Sequence, residues 1–295
     1  MVAADAVATC SRVLAICADD IGLADGAAET ALELAAAGRL TSASCVSTGP
    51  FWRRDGAQFS PHGGDFGTPI RLELGLHFNL TEGVPASRSL AAHWPTLPGL
   101  GRLIALAHLG ALPLTAIADE WQAQADAFAE RVGREPDFID GHQHVHHLPG
   151  VRSIVLDGAR RFRVAPAIRS TGRLAGPGAA FKRRVIEATG GRALEAALRA
   201  RGFRHNRVLL GAYDFRGDYR HHVVGWLAAA PAEGGLLFCH PSTAAAAGAN
   251  DGSDAIVGAR RREAAYFASA EFGADLAAAG VSLGPAWATR SSSAD

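Results

Sequence analysis

The segment VLAICADD at Val13–Asp20 is the clearest strand pattern in the sequence. Its six apolar residues run without interruption and end abruptly at two acids, Asp19 and Asp20. A short continuous apolar run is typical of a parallel strand that is covered on both faces. The sequence therefore predicts a buried parallel strand that carries two carboxylates at its carboxyl end.

The residues that follow predict a helix and a second strand. Asp25 is expected to cap a helix over Gly26–Ala37, and Gly38 is expected to end it in a left-handed conformation. Thr41–Ser47 then predicts a strand. Because strand, helix and strand in this order build parallel sheets, the opening of the chain predicts an α/β fold.

The rest of the chain repeats this alternation. Further strands are predicted at Leu72–Leu76, Phe138–Asp140, Val164–Arg169, Arg207–Ala212, Gly235–Cys239 and Val281–Gly284. Further helices are predicted at Thr115–Arg131, Val151–Phe162, Phe181–Arg201 with a break at Gly190–Gly191, His221–Ala230 and Arg260–Ala279. Residues 49–70 are predicted to form a loop with one short helix. Residues 85–113 are predicted to form a long connection between core elements. No linker or repeat divides the sequence, so we expect one (β/α) barrel domain of parallel strands over residues 1–295, with loose termini at 1–11 and 289–295.

Composition excludes several classes of protein. The chain has 295 residues with 48% hydrophobic content, enough for a large core. Lys plus Arg and Asp plus Glu both total 29, and no basic run is interleaved with aromatics, so no nucleic-acid partner is expected. No run of about 18 apolar residues occurs, and residues 1–12 lack a basic start before an apolar segment, which predicts a cytoplasmic protein without a membrane span. The 4 cysteines form no Cys-x-x-Cys pair and are predicted to be reduced and structural.

A cluster of histidines follows the strand at Phe138–Asp140. His142, His144, His146 and His147 are four of the 12 histidines in the chain. If the strand continued, His142, His144 and His146 would point the same way. Imidazole is the commonest metal ligand, so the cluster predicts a metal site, the alternative being a surface histidine tract.

Polar groups also stand at the ends of the other predicted strands. Active sites of parallel α/β folds form at the carboxyl ends of strands. The groups at those positions are Asp19, Asp20, His77, Asp140, His142, Arg169 and His240. One carboxylate with two imidazoles leaves metal positions open for water and substrate, which is typical of a catalytic rather than a structural site.

Four segments of the chain resemble the YdjC-like carbohydrate deacetylases. They are Ala18–Leu23, Gly75–Thr81, Asp140–His146 and Cys239–Pro241, and they occur in the order of that family over roughly residues 13–285. The combination is specific, although each segment alone is not. The sequence departs mildly from the family at Ile21, where the family often has Phe, and at Gly141, where it often has Ser or Ala.

The resemblance implies a (β/α) barrel of the glycoside hydrolase/deacetylase type with a divalent metal, Mg or Zn. Carried over by position, the metal ligands are Asp20, His77 and His142. Asp19 is implied as the base that takes a proton from the attacking water. Arg169 is expected to pair with Asp19 and hold it ionised, the alternative being an ordinary surface or helix-end arginine.

The nitrogen that leaves in amide hydrolysis must be protonated by a general acid. His240 resembles the histidine that related deacetylases use, with His144 and His146 as alternatives. The implied activity is a metal-dependent hydrolase that removes acetyl from an N-acetylated sugar, either a chitooligosaccharide or an aminosugar glycoside or glycolipid. A metal-dependent phosphoesterase and a non-catalytic sugar-binding relative are the competing hypotheses. The expected partner is this small-molecule sugar, and a homodimer is left open.

Overall fold

Eight parallel strands form the centre of the computed structural model, which describes residues 12–60, 72–243 and 255–287. They are β1 (Arg12–Ile21), β2 (Ser42–Cys45), β3 (Glu73–Phe78), β4 (Phe138–Gly141), β5 (Ala167–Ile168), β6 (Val208–Leu210), β7 (Gly235–Cys239) and β8 (Val281–Leu283). The strand order is β5-β4-β3-β2-β1-β7-β6, and β8 pairs with the first residues of β1. Every pairing is parallel.

The two end strands of this order, β5 and β6, approach each other. The Ile168 amide donates to the Arg204 carbonyl at 2.9 Å, and Leu174 and Leu209 form an isolated parallel bridge. The sheet is therefore curled into an α/β half-barrel, which confirms the predicted fold class. The predicted single domain over 1–295 stays a prediction, and its termini 1–11 and 289–295 lie outside the described residues.

Helices follow the strands around the sheet. They are α1 (Ala27–Ala36), α2 (Trp52–Gln58), α3 (Arg88–His93), α4 (Leu100–His108), α5 (Leu114–Val132), α6 (Val151–Ala159), α7 (Ala180–Ile186), α8 (Arg192–Arg201), α9 (Tyr219–Ala229), α10 (Val257–Ala268) and α11 (Ala270–Ala278). A 3₁₀ turn at His142–His147 follows β4, and a π-helical turn at Glu187–Gly191 joins α7 to α8. No helix among these described residues combines the length and apolar character that a membrane crossing needs.

The first strand is buried near the middle of the sheet, as its sequence predicts. Residues 14–18 are fully buried, and β1 pairs with β2 on one side and β7 on the other. The predicted break in the helix at Gly190–Gly191 is also present. A Cβ at Gly190 would lie 2.2 Å from the His147 carbonyl oxygen, so this close approach requires glycine.

Three local predictions are wrong. Asp25 does not cap α1: the capping position is Gly26 without a side-chain bond, and Asp25 instead pairs with Arg54 at 2.9 Å. The predicted strand Val164–Arg169 shortens to two residues, and Val164 is exposed. The predicted helix Arg260–Ala279 is two helices, because Ser269 ends α10 and its side chain caps α11.

The cysteines lie in the apolar core. Cys17, Cys45 and Cys239 are free thiols with almost no exposed surface, and Cys10 lies outside the described residues. Burial raises the pKa of all three described thiols well above the ordinary value. Their predicted structural role is confirmed by this burial, and their reduced state stays a prediction.

Candidate active site

Three predicted metal ligands come together at the carboxyl end of the sheet. Asp20, His77 and His142 are all buried, and one ligand atom from each lies within 4.8 Å of the others. The Asp20 Oδ1 atom is 3.0 Å from His142 Nδ1 and 3.6 Å from His77 Nε2. A carboxylate and two imidazoles thus converge from the ends of β1, β3 and β4.

The end of β1 sends its two adjacent acids in different directions. Asp20 has a left-handed backbone (φ 66°), and the register between β1 and β2 shifts between Ala18 and Ile21. Such an irregularity re-aims a side chain at a strand end. As a result Asp20 faces the two histidines, whereas Asp19 faces Arg169.

The histidine cluster is not a strand, so its predicted alternation is wrong. Gln143 and His144 both have left-handed backbones (φ 51° and 64°), which turns the chain into the 3₁₀ segment directly after His142. His142 alone of the cluster joins the ligand set. His146 is fully buried, and its Nε2 atom lies 2.9 Å from the Arg169 carbonyl oxygen. His144 instead lies edge-on against the ring of Phe238.

A buried carboxylate orients His77. His77 and Asp140 are register partners on β3 and β4, and His77 Nδ1 lies 2.6 Å from Asp140 Oδ1. Burial raises the pKa of Asp140, but Arg169 and then His77 outweigh it and hold that pKa below its ordinary value. Because an ionised carboxylate only accepts hydrogen bonds, His77 Nδ1 donates to Asp140, and Nε2 is the nitrogen that faces Asp20.

Arg169 is a buried arginine between two acids, not a surface residue. Its Nη1 and Nη2 atoms donate to both carboxylate oxygens of Asp19 at 2.6 and 2.7 Å. Nη2 also forms an ion pair with Asp140 at 2.6 Å. All three side chains are at most 2% exposed. The guanidinium therefore fixes the orientation of Asp19 and neutralises charge beneath the ligand set.

The Arg169→Met variant should lower the free energy of unfolding by about 3–5 kcal/mol, because it leaves two buried carboxylates without their cation. The exposed Arg173→Met variant is the matched control and should be near neutral. Burial raises the pKa of Asp140 and Arg169 holds it below its ordinary value, so without Arg169 that pKa rises. The deficit should therefore be fully present at pH 7 and shrink as the pH falls toward about 4 and Asp140 takes up a proton. Urea unfolding at several pH values measures this, and a deficit under 1 kcal/mol would argue against the buried ion-pair network.

Sequence reasoning missed Arg260, which contacts a predicted ligand. Its Nη2 atom donates to Asp20 Oδ2 at 2.8 Å across 240 residues of sequence. Burial raises the pKa of Asp20, but Arg260 and then His142 outweigh it and hold that pKa well below the ordinary value. No local pattern in α10 indicates this contact, since an arginine on a helix is ordinarily a solvated side chain.

Sequence reasoning also missed Glu82 as a contact of a predicted ligand. Its Oε1 atom lies 3.0 Å from His142 Nε2, on the side of the ring away from Asp20. Burial lowers the pKa of His142, but Asp20 and then Glu82 outweigh it and raise the pKa to about 10. Glu82 follows His77 by five positions in the segment Asn79–Glu82 directly after β3, where no pattern marks this glutamate as a contact of His142.

His240 lies at the end of β7 beside an aromatic wall. Its ring packs edge-on against Phe215 and Phe238, with centroids 5.4 and 5.6 Å apart. Its backbone amide donates to the fully buried Glu263 carboxylate, which also accepts from the Tyr213 hydroxyl. His240 is close enough to Asp20 to contribute to lowering that acid's pKa.

The residues present fit one divalent cation. The donor set of Asp20, His77 and His142 is chemically suited to a divalent cation, and Asp140 orients one of the two imidazoles. A second group of close donors consists of Cys17, Asp19 and Asp140. The Arg169 guanidinium already bonds both of those acids, so that group is a neutralised charge cluster and not a second cation site.

The fold and the site together define an α/β half-barrel protein with a candidate mononuclear centre at the carboxyl ends of its strands. The model of the YdjC-like protein family matches residues 13–278, and the chain belongs to this family. The predicted family resemblance is therefore confirmed.

Two deacetylases and one protein of known structure are similar to this chain. It is 32% identical over 268 residues to a carbohydrate deacetylase of Mus musculus, covering 82% of this chain and 83% of that protein. It is also 32% identical over 161 residues to a chitooligosaccharide deacetylase of Enterobacter sp. (strain 638), covering 52% of this chain and 58% of that protein. A protein of Enterococcus faecalis V583, proposed to cleave cellobiose phosphate, superposes with a TM-score of 0.68 at 19% identity, covering 94% of this chain and 98% of that one. That likeness concerns the fold.

Proposed function

We propose that this protein is a metal-dependent hydrolase that removes the acetyl group from an N-acetylated sugar. The observation that carries the proposal is the convergence of Asp20, His77 and His142 beside a separate carboxylate, Asp19, that an arginine holds in place. The deacetylase names of the mouse and Enterobacter relatives support the choice of substrate class. A cation at this site would polarise the acetyl carbonyl and make a water molecule more acidic.

Asp19 is the base in this proposal. Both of its oxygens accept from Arg169, and a carboxylate retains further lone pairs that can receive a proton from water. The bidentate pair fixes the plane of the carboxylate without placing it in the ligand set. Asp19 is therefore not a metal ligand in this proposal, and its orientation does not depend on the cation.

His240 is the general acid that protonates the leaving nitrogen. Of the alternatives, His146 is excluded because its Nε2 atom contacts the Arg169 carbonyl and the side chain has no exposed surface. Burial, then His147 and His146, hold the pKa of His144 well below its ordinary value, so His144 is neutral and a poor proton donor at pH 7. His240 keeps a partly exposed ring at the end of β7.

The phosphoesterase alternative fits the site less well. Such enzymes commonly clamp the transferred group between two ions about 3.5–4 Å apart. The described residues offer one other donor cluster, and Arg169 already neutralises it. A single cation with a flanking base suits hydrolysis of an amide. A cytoplasmic location, the lack of a nucleic-acid partner and the homodimer stay predictions.

Acetate release from N-acetylated chitooligosaccharides tests the proposal. The purified protein should release acetate, lose this activity with a chelator and regain it with zinc or magnesium. It should leave p-nitrophenyl phosphate intact under the same conditions. A panel that adds N-acetylated aminosugar glycosides separates the two substrate classes. Phosphate release that depends on the cation, without acetate release, would support the phosphoesterase instead.

A further inference from the structure

The two candidate imidazole ligands have a common arrangement. Each ring has one nitrogen near Asp20 and the other nitrogen near a different carboxylate. For His77 that carboxylate is Asp140, at 2.6 Å from Nδ1. For His142 it is Glu82, at 3.0 Å from Nε2. Carboxylates placed in this way fix the tautomer and the orientation of a metal-binding histidine.

The loop after β3 is built to present Glu82. Asn79 is fully buried, and its Oδ1 atom accepts from the backbone amides of Thr81 and Glu82 at 3.0 and 3.1 Å. Its Nδ2 atom donates to the Glu82 carbonyl at 2.7 Å and to Thr48 Oγ1 at 3.1 Å. Both backbone polar groups of Glu82 are thus held by one buried side chain. The side chain of Glu82 therefore starts from a fixed point next to His142.

The contact of Glu82 is not that of an ordinary surface acid. Its Oε1 atom accepts from Gln143 Nε2 at 3.2 Å as well as contacting His142. The Glu82 side chain is 45% exposed, whereas the His142 side chain is 9% exposed. A partly exposed carboxylate thus contacts a buried imidazole from the solvent side.

We propose that Glu82 is a positioning residue of the candidate metal centre. It accepts the Nε2 proton of His142 and thereby keeps Nδ1 directed at Asp20 as the ligand atom. The inference rests on the proposed function only in so far as a cation binds at Asp20, His77 and His142. Glu82 is the solvent-side counterpart of the fully buried Asp140. Because Glu82 is outside the core, its removal should weaken cation binding without unfolding the protein.

Zinc binding to the chelator-stripped protein, measured by calorimetry without substrate, tests this role. Glu82→Ala should weaken binding by about 10- to 100-fold, as removal of such partners typically does. Glu82→Gln keeps an oxygen acceptor and should restore much of the affinity. Glu33→Ala removes an equally negative, exposed side chain on α1 and should bind zinc like the wild type. Equal losses in Glu82→Gln and Glu82→Ala would overturn the proposal, because charge alone would then explain the effect.

Nitrogen-15 NMR of histidine-labelled, zinc-loaded protein gives a second measurement. His142 should carry its proton on Nε2 in the wild type, and this signal should weaken or shift in Glu82→Ala. A proton on Nδ1, or wild-type affinity in Glu82→Ala, would contradict the proposal. Neither measurement uses a sugar, so absence of deacetylation alone would count against the proposed function and not against Glu82. A wild-type protein that binds no zinc would overturn both.

Discussion

The Asp19→Asn variant should keep its cation and lose about 100- to 10,000-fold in kcat with a modest change in KM. Asp19 and Asp20 are neighbours in sequence, but the left-handed backbone conformation of Asp20 directs their side chains apart. Asp19 bonds Arg169 and is not part of the ligand set. Asparagine keeps an oxygen for Arg169 but cannot take a proton from water. The fold should persist because Arg169 retains Asp140 as a counter-ion.

Asp25→Asn is the matched control for this variant. It makes the same chemical change at an acid that follows the same strand but pairs with Arg54 at the surface. Its kcat and metal content should equal those of the wild type. If Asp19→Asn kept near-normal turnover, Asp19 would not be the base. If it lost its cation completely, the separation of base from ligands would be wrong.

Removal of a ligand should have the larger effect. His77→Ala and His142→Ala should each lose most of the cation and at least about 1,000-fold in turnover, since a Lewis acid contributes several kcal/mol to such reactions. The ligands lie at strand ends, so the half-barrel should still fold. His93→Ala, at an exposed position of α3, is the control and should retain full activity. Metal analysis of the purified variants, beside acetate release, checks the prediction.

Much of the site could be predicted because strand ends are visible in the sequence. The apolar run of β1 ends at Asp19 and Asp20, and β3 ends near His77, so their approach follows from the parallel sheet. Asp140 was also expected at a strand end, but its pairing with His77 is set by the register of β3 and β4 in the structure. These predictions need only the period and length of apolar runs.

The turn at the histidine cluster could not be predicted from periodicity. Two consecutive non-glycine residues, Gln143 and His144, adopt left-handed backbones that sequence propensity disfavours. Tertiary contacts offset this cost: His146 contacts the Arg169 carbonyl and His147 contacts Thr171. Such strain often marks a functional site.

The contacts that Arg260 and Glu82 make with the candidate ligands could not be predicted from the sequence either. Arg260 meets Asp20 from a helix 240 residues away, and its position depends on how α10 packs on the sheet. Glu82 lies in an irregular loop, where no periodic pattern gives the direction of a side chain. Both contacts are set by tertiary structure, and both act on the charge at the candidate cation site.

Zinc or magnesium can be titrated into the chelator-stripped protein while acetate release from N-acetylchitobiose is measured at each step. This titration tests whether one bound cation supports the activity. Asp20, His77 and His142 form one donor set, so activity should rise in proportion to the added cation and level off at one ion per chain. The His77→Ala protein should show no such rise. Full activity in the stripped protein, or a plateau at two ions per chain, would contradict a single cation held by these three residues.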